Sequence, residues 1–145
     1  VGLKESSFQS YAMKRGKDME QTARESFEDY MDLKFPPIVS FHRDYDWMLA
    51  SLDGYNQDWH CAVEIKCPGK DDHQLAKEGE IPLKYQPQLQ HQMAVKDLQM
   101  IHYYSFDGTS GVVIDVYRDQ EYIDYMIERE KKFLDCMLSF VEPDF

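Results

Sequence analysis

The stretch VEIKCPGK at residues 63–70 decides how this chain is interpreted. Alternate residues of a β-strand point to the same face, so Glu64 and Lys66 would project together from an otherwise apolar strand. The turn-forming run CPG at 67–69 then closes that strand. The stretch therefore predicts a strand that carries either a surface ion pair or a functional site.

A third charged residue, Asp53, ends the preceding apolar run MLASLD, in which Ser51 has the same strand parity. A hairpin-like pairing of the two strands would bring Asp53 close to Glu64, with Lys66 alongside. Clustered carboxylates attract a hard cation, and Mg²⁺ prefers oxygen ligands. With an ammonium nearby, such a site suits phosphodiester hydrolysis. On spacing alone, the alternative is an exposed cross-strand ion pair, which contributes little.

Composition limits the classes of protein that fit. The chain has 145 residues, one domain's worth, and 43% hydrophobic residues allow a sizeable core. Its net charge of −11 is the wrong sign for binding nucleic acid by bulk charge, so DNA contact must be local or bridged by metal ions. Three cysteines without framework spacing indicate a reducing, cytoplasmic setting without disulfides or a closed zinc site. No apolar run approaches the ~20 residues of a membrane helix.

The hydrophobic period predicts an α/β domain, a mixed sheet flanked by helices in the order α-β-β-β-α-β-β-α. Residues 67–83 are predicted to be a loop. The first three strands have the spacing of an antiparallel meander. The predicted helices cover about 15–34, 88–96 and 122–140, and the predicted strands cover 38–43, 47–53, 59–66, 100–106 and 112–117.

Four motifs occur in order along residues 8–140: YAMKRGKDMEQTARESF, SLDGY, VEIKCP and YQPQLQHQMAV. Together they resemble the lambda-exonuclease/YqaJ family of phage recombination nucleases, within the PD-(D/E)XK superfamily. The resemblance implies a single restriction-endonuclease-like nuclease domain over 1–145. The family's upstream DNA-holding segment is not recognisable before Val1, and Leu52 stands where many superfamily members have proline.

The resemblance implies roles for individual residues. Asp53 and Glu64 would be the metal-binding carboxylates, with the backbone carbonyl of Ile65 as a further ligand. Lys66 would be the catalytic lysine. Glu20, on the first helix, would help to hold a second metal ion or its water; as an ordinary helix residue it would only pair with a neighbour on the surface.

Other residues are implied to support catalysis or contact the substrate. Gln88 matches the family glutamine that supports the lysine and the attacking water. Tyr85 and Gln90 complete that motif, and Ser51 would line the site near the phosphate. Because Gln88, Gln90 and Gln92 are spaced by two on a helix, at most two of them can reach the site.

The function implied by the resemblance is Mg²⁺-dependent digestion of linear double-stranded DNA ends, 5′ to 3′, with two ions bound and Mn²⁺ able to substitute. The remaining single strand would pass to a phage annealing protein. The family also implies a homotrimer and a phage or prophage protein in the cytoplasm of a bacterial host. Three alternatives remain open: an endonuclease of the same superfamily, a catalytically silent DNA-binding module, and an unrelated α/β protein with a fortuitous ion pair.

Overall fold

The computed structural model describes residues 18–141, with side chains described as far as residue 139. The described part is a mixed α/β domain with helices on both faces of a sheet, as predicted. Its elements are α1 (18–31), β1 (Ile38–Phe41), β2 (Leu49–Leu52), β3 (Gly54–Asn56), β4 (Cys61–Lys66), α2 (Lys70–Lys77), a 3₁₀ turn (Leu83–Tyr85), α3 (Gln86–Lys96), β5 (Met100–Phe106), β6 (Gly111–Tyr117) and α4 (Gln120–Val141).

The strands form two sheets. β3, β4, β5 and β6 are neighbours in that order in the larger sheet, and β1 pairs only with β2 in a two-stranded sheet. β4 and β5 are parallel, and the other pairs are antiparallel. Parallel neighbours require a long crossover, and here it contains α2 and α3. β4 therefore lies inside the larger sheet, with β3 and β5 on either side.

One face of this sheet packs against α1. Ala23 and Phe27 of α1 are fully buried in a cluster with Val63 and Ile65 of β4. The predicted first helix is thus confirmed over 18–31, whereas residues 32–34 of that prediction are not helical. Tyr30, which recurs at helical spacing with Ala23 and Phe27 in the sequence, is exposed. Residues 15–17 of that prediction lie outside the described residues.

The other face packs against α3, where Leu89 and Met93 are fully buried beside Ala62 and Tyr103. The β1–β2 hairpin also packs on α3, and its residue Ala50 contributes to a further buried cluster. A two-stranded hairpin is marginal by itself in water, so the contact with α3 supplies its support. As a result, α3 lies against both sheets at once.

Two elements were missed by the sequence prediction. The segment 67–83, predicted as a loop, contains α2, which begins after Gly69 and has Asp71 and Asp72 in its first turn. The helix buries only His73 and Ala76, so its apolar periodicity was too weak to read. β3 lies inside a predicted turn, and the observed order is α-β-β-β-β-α-α-β-β-α rather than the predicted one.

The last helix, α4, packs mainly through its first half, where Ile123 is fully buried. Phe133 and Met137, whose spacing places them on one face of this helix, are exposed. The side chain of Phe140 lies outside the described residues. Within residues 18–141, no helix is both long and apolar enough to cross a membrane.

Candidate active site

Asp53 reaches the edge of β4 because the chain bends between β2 and β3. β3 pairs with β4 so that Gly54 lies opposite Val63. Continued by one residue, this register brings Asp53 opposite Glu64. The Oδ2 atom of Asp53 accepts a hydrogen bond of 2.8 Å from the backbone N–H of Ile65. The predicted proximity of the carboxylates is therefore present, but the predicted route is wrong: β2 pairs with β1, and β3 makes the contact with β4.

Gly54 permits this bend. A Cβ atom on Gly54 would lie 2.8 Å from both the Cβ and the carbonyl oxygen of Phe35, and 2.9 Å from Cγ1 of Val63. Real Cβ atoms do not approach other atoms so closely, and two of these neighbours belong to the fully buried core. Only glycine fits at position 54 without a steric clash, and the bend at this position places Asp53 in the site.

Glu64 is the most buried acid of the site, with 3% of its surface exposed. Its Oε1 lies 3.3 Å from Nζ of Lys66, and its Oε2 accepts a hydrogen bond of 2.6 Å from Nε2 of Gln92. A buried carboxylate is tolerated when a charge partner and hydrogen bonds compensate for its lost hydration. Both oxygens of Glu64 are compensated in this way.

Lys66 is held from three directions. Besides the Glu64 contact, its Nζ donates a hydrogen bond of 3.1 Å to Oε1 of Gln88. It also lies 4.4 Å from the ring centroid of Tyr85, within cation–π distance. These contacts fix the ammonium group next to the carboxylates.

Electrostatics place Asp53 at the centre of an acidic cluster. Burial, followed by the charge of Glu64, raises the pKa of Asp53 from 3.8 to about 6, although the Ile65 N–H favours its charged form. Burial and the neighbouring Asp53 also raise the pKa of Glu20, whose carboxyl group is within hydrogen-bonding reach of Asp53. Raised pKa values show that carboxylates have been gathered where their charges are poorly compensated.

The carboxylates of Asp53 and Glu64 fit a hard divalent cation. Their oxygens repel each other, and a cation bound between them would remove that repulsion. N–H and C=O of one strand residue point to the same side, so the Ile65 carbonyl faces the same edge as Asp53. Among the described residues, no three His, Cys, Asp or Glu side chains converge as they stand into a complete metal site. The predicted set contains three carboxylates, those of Asp53, Glu64 and Glu20, and their side chains as they stand do not all converge on one point.

One of the predicted substrate contacts, Gln90, is placed differently from expectation. Gln90 faces away from the site: its Nε2 donates to the carbonyl of Tyr117, and its Oε1 accepts from the N–H of Asp119. Its role in the structure is to join the end of β6 to the start of α4. The side chain of Ser51 is exposed on β2, and its carbonyl oxygen accepts a 3.1 Å hydrogen bond from Gln92.

Gln92 is a site residue to which the sequence analysis gave no role. It lies one helical turn after Gln88, so both amides project from the same face of α3 toward β4. The limit of two glutamines at the site is confirmed, but the second is Gln92 rather than Gln90. The i, i+4 spacing was the available signal.

The fold and the acidic edge define the class: a restriction-endonuclease-like domain. A family model described as the YqaJ-like viral recombinase domain matches residues 1–99, and the chain belongs to this family. Two solved structures are similar to this chain. The structure of LHK-Exo in complex with dAMP has 25% sequence identity and a TM-score of 0.64, and the match covers 91% of this chain and 76% of that one. The structure of the alkaline exonuclease LHK-Exo from Laribacter hongkongensis has 24% identity and a TM-score of 0.62, and the match covers 90% of this chain and 75% of that one. No curated protein sequence matches the chain significantly.

Proposed function

We propose that this protein is a Mg²⁺-dependent deoxyribonuclease that hydrolyses phosphodiester bonds from the ends of linear double-stranded DNA. The observation that carries the proposal is the gathering of Asp53 and Glu64 at one strand edge, beside an ammonium group that is held in place. The similarity to the exonuclease LHK-Exo supports digestion from a DNA end over internal cutting.

Asp53, Glu64, Glu20 and the carbonyl of Ile65 would hold the metal. When bound, Mg²⁺ supplies charge neutralisation for the phosphate and lowers the pKa of a coordinated water. The contacts around Asp53 and Glu64 hold their carboxylates in fixed positions. Glu64 is fixed by Gln92 and Lys66, and Asp53 is fixed by the Ile65 N–H, so the carboxylates need little rearrangement to accept the ion.

Lys66 has a distinct role. An ammonium group has three N–H donors, and contacts with Gln88 and Glu64 occupy two of them. The third can donate to the phosphate or to the attacking water and stabilise charge that develops during displacement. Gln88 and Tyr85 then act by aiming Lys66, because both contact its Nζ.

The finer features of the proposal rest on the family resemblance. They are 5′-to-3′ polarity, a second metal ion, substitution by Mn²⁺, a homotrimeric assembly and transfer of the product strand to a single-strand annealing protein. Light scattering of the purified protein tests the trimer, and a manganese titration followed by thermal shift tests the metal site.

The proposal is tested with three DNA substrates: linear duplex labelled at the 5′ end, the same duplex labelled at the 3′ end, and closed circular DNA. Each is incubated with Mg²⁺ or with EDTA, and Asp53→Asn protein serves as the control for contaminating nucleases. We expect Mg²⁺-dependent loss of linear DNA, early release of the 5′ label and an intact circle.

Other outcomes separate the alternatives. Nicking of the circle would replace the exonuclease with an endonuclease of the same superfamily. Absence of cleavage together with DNA binding would indicate a silent module. Absence of cleavage and of any thermal shift with Mg²⁺ or Mn²⁺ would refute the metal site.

A further inference from the structure

We propose that the α2 cavity, the space between α2 and the end of β5, binds a backbone phosphate of the DNA substrate, an inference that rests on the proposed function. The cavity has a volume of about 550 Å³, and its wall includes Gly69 and one face of α2. That face carries Lys70, His73 and Lys77, whose spacing of three and four residues aligns them along the helix. Two lysines and a histidine around one space are the donors that phosphate oxygens accept.

The charge of the two lysines is available to a ligand. Lys70 and Lys77 are exposed, and their side chains form no ion pair or hydrogen bond with any residue that the structure describes. The neighbouring acids do not cancel this charge, because Asp72 is paired with Lys84 at 2.9 Å and neither Asp71 nor Asp72 lines the cavity. The positive charge of α2 that is free for a ligand therefore lies on the cavity side.

The first turn of α2 opens onto the same cavity. Its N-cap residue is Gly69, which has no side chain that could accept a hydrogen bond from the helix. The N–H groups of the first helical residues are therefore left without a side-chain acceptor. Free N–H groups and the positive end of the helix dipole both favour an anion at this position.

His73 gives an independent indication that the cavity accepts a ligand. This residue is 5% exposed, and its Nδ1 forms a 2.8 Å hydrogen bond with Oγ of Ser105. Its Nε2 is buried and has no hydrogen-bond partner within the described residues; it points toward Asp107, another residue of the cavity wall, whose Oδ2 lies 3.5 Å away. With the Ser105 hydroxyl donating to Nδ1, Nε2 carries the proton and needs an acceptor. A phosphate oxygen in the cavity would supply that acceptor.

Asp107 does not prevent an anion from binding. Its Oδ1 accepts hydrogen bonds of 2.8 and 2.7 Å from the backbone N–H groups of Thr109 and Ser110, so its own turn compensates part of its charge. The two lysines outnumber this one acid in the wall, and the cavity is therefore locally positive in a chain of net charge −11. Such a local field attracts a phosphate where the chain as a whole repels it.

The α2 cavity adjoins the candidate active site. Gly69 follows Lys66 by three residues, so their Cα atoms are at most about 11 Å apart. β4 and β5 are parallel and end at this edge of the sheet, which is where α/β folds bind their ligands. The phosphates of one DNA strand advance about 3.4 Å per nucleotide, so the bound phosphate would lie within about three nucleotides of the bond that is cut.

The test compares Lys70→Ala and Lys77→Ala with Lys132→Ala, which removes the same charge from an exposed position on α4. The probes are linear duplex DNA and the same duplex with one neutral methylphosphonate, placed in turn at each of the first four linkages from the 5′ end. Affinity is measured by fluorescence anisotropy over a series of KCl concentrations, with Ca²⁺ in place of Mg²⁺. Because all three lysines are exposed, the variants are expected to fold, and their melting temperatures are compared with that of the wild type.

We expect Lys70→Ala and Lys77→Ala to bind unmodified DNA about 3- to 10-fold more weakly, with a salt dependence that is less steep by about one. Lys132→Ala should match the wild type. One methylphosphonate position should weaken binding by the wild type but not by the two cavity variants, which would identify the bound phosphate.

Other outcomes would overturn the inference. Full affinity and an unchanged salt dependence of both cavity variants, with a wild type that digests DNA, would refute the phosphate site and leave the nuclease intact. Inorganic phosphate that raises the melting temperature of the wild type but not of the variants, with DNA affinity unchanged, would replace the DNA contact with a free anion. A wild type that binds DNA through both lysines but cleaves none would refute the proposed nuclease alone.

Discussion

Replacing Asp53 with asparagine should stabilise the metal-free protein while abolishing cleavage. Burial and the charge of Glu64 raise the pKa of Asp53 from 3.8 to about 6. The folded state therefore binds this proton more readily than the unfolded state does, and the charged form of Asp53 opposes folding. The penalty is absent below pH 3.8, develops as the pH rises toward 6, and is complete above it.

The magnitude follows from the shift of about 2 pKa units. Each unit corresponds to about 1.4 kcal/mol, so the upper bound is about 3 kcal/mol at pH 8. Asparagine keeps an oxygen that can accept the hydrogen bond from Ile65 N–H, so the substitution removes the charge and retains the contact. For a domain of this size we expect a gain of roughly 3–10 °C in melting temperature.

The assay is thermal unfolding in EDTA at pH 8 and at pH 4, with Asp58→Asn as the control because Asp58 is an exposed acid. The gain should appear for Asp53→Asn at pH 8 and shrink at pH 4, whereas the control should not respond. Mg²⁺ should then raise the melting temperature of the wild type but not of Asp53→Asn. A loss of stability at pH 8 would show that Asp53 is an ordinary structural hydrogen-bond partner, contrary to this reasoning.

The other predictions concern groups that contact the site. Lys66→Ala should lower the cleavage rate more than 100-fold and leave the circular dichroism spectrum unchanged; retained cleavage by the pure variant would refute its role. Gln92→Leu should cost about 1–3 kcal/mol in urea unfolding and also slow cleavage, because one oxygen of buried Glu64 loses its donor; a neutral effect on both would contradict the assignment. Gly54→Ala should lower stability by about 1–3 kcal/mol and impair Mg²⁺ binding, since the added methyl group would displace Phe35 or the bend before the site.

Much of the site could be predicted because it depends on local rules. The two-residue period places Glu64 and Lys66 on one face of β4 wherever that strand lies in the sheet. Their position relative to Asp53 depends on strand order, which the sequence does not encode locally. The chain inserts β3, and this short strand, rather than β2, brings Asp53 to β4.

The errors have the same origin. α2 lies against the sheet mainly through His73 and Ala76, so most of its stabilising contacts are tertiary and its sequence resembles a polar loop. Likewise, Gln90 and Gln92 have the same composition and neighbouring positions, but they differ by 200° around α3. That rotation sends one amide to the end of β6 and the other to Glu64. The resemblance to the family rests on the spacing of the glutamines along the chain. Which of their amides faces the site depends on how α3 packs.

Under the proposed function, the acidic cluster would account for how a chain of net charge −11 acts on DNA. Glu20 of α1 and Glu64 of β4 lie near Asp53, which follows β2. Burial and neighbouring carboxylates raise the pKa of Asp53 and of Glu20, so the charged forms of these two acids destabilise the metal-free site. Because the surrounding core is well buried on both faces of the sheet, the fold can sustain this local cost. A divalent ion would relieve that cost and present positive charge to the phosphate at the same place. Repulsion between protein and DNA would then be lowest at the strand edge where Lys66 is already aimed, so that local charge rather than net charge would direct the substrate.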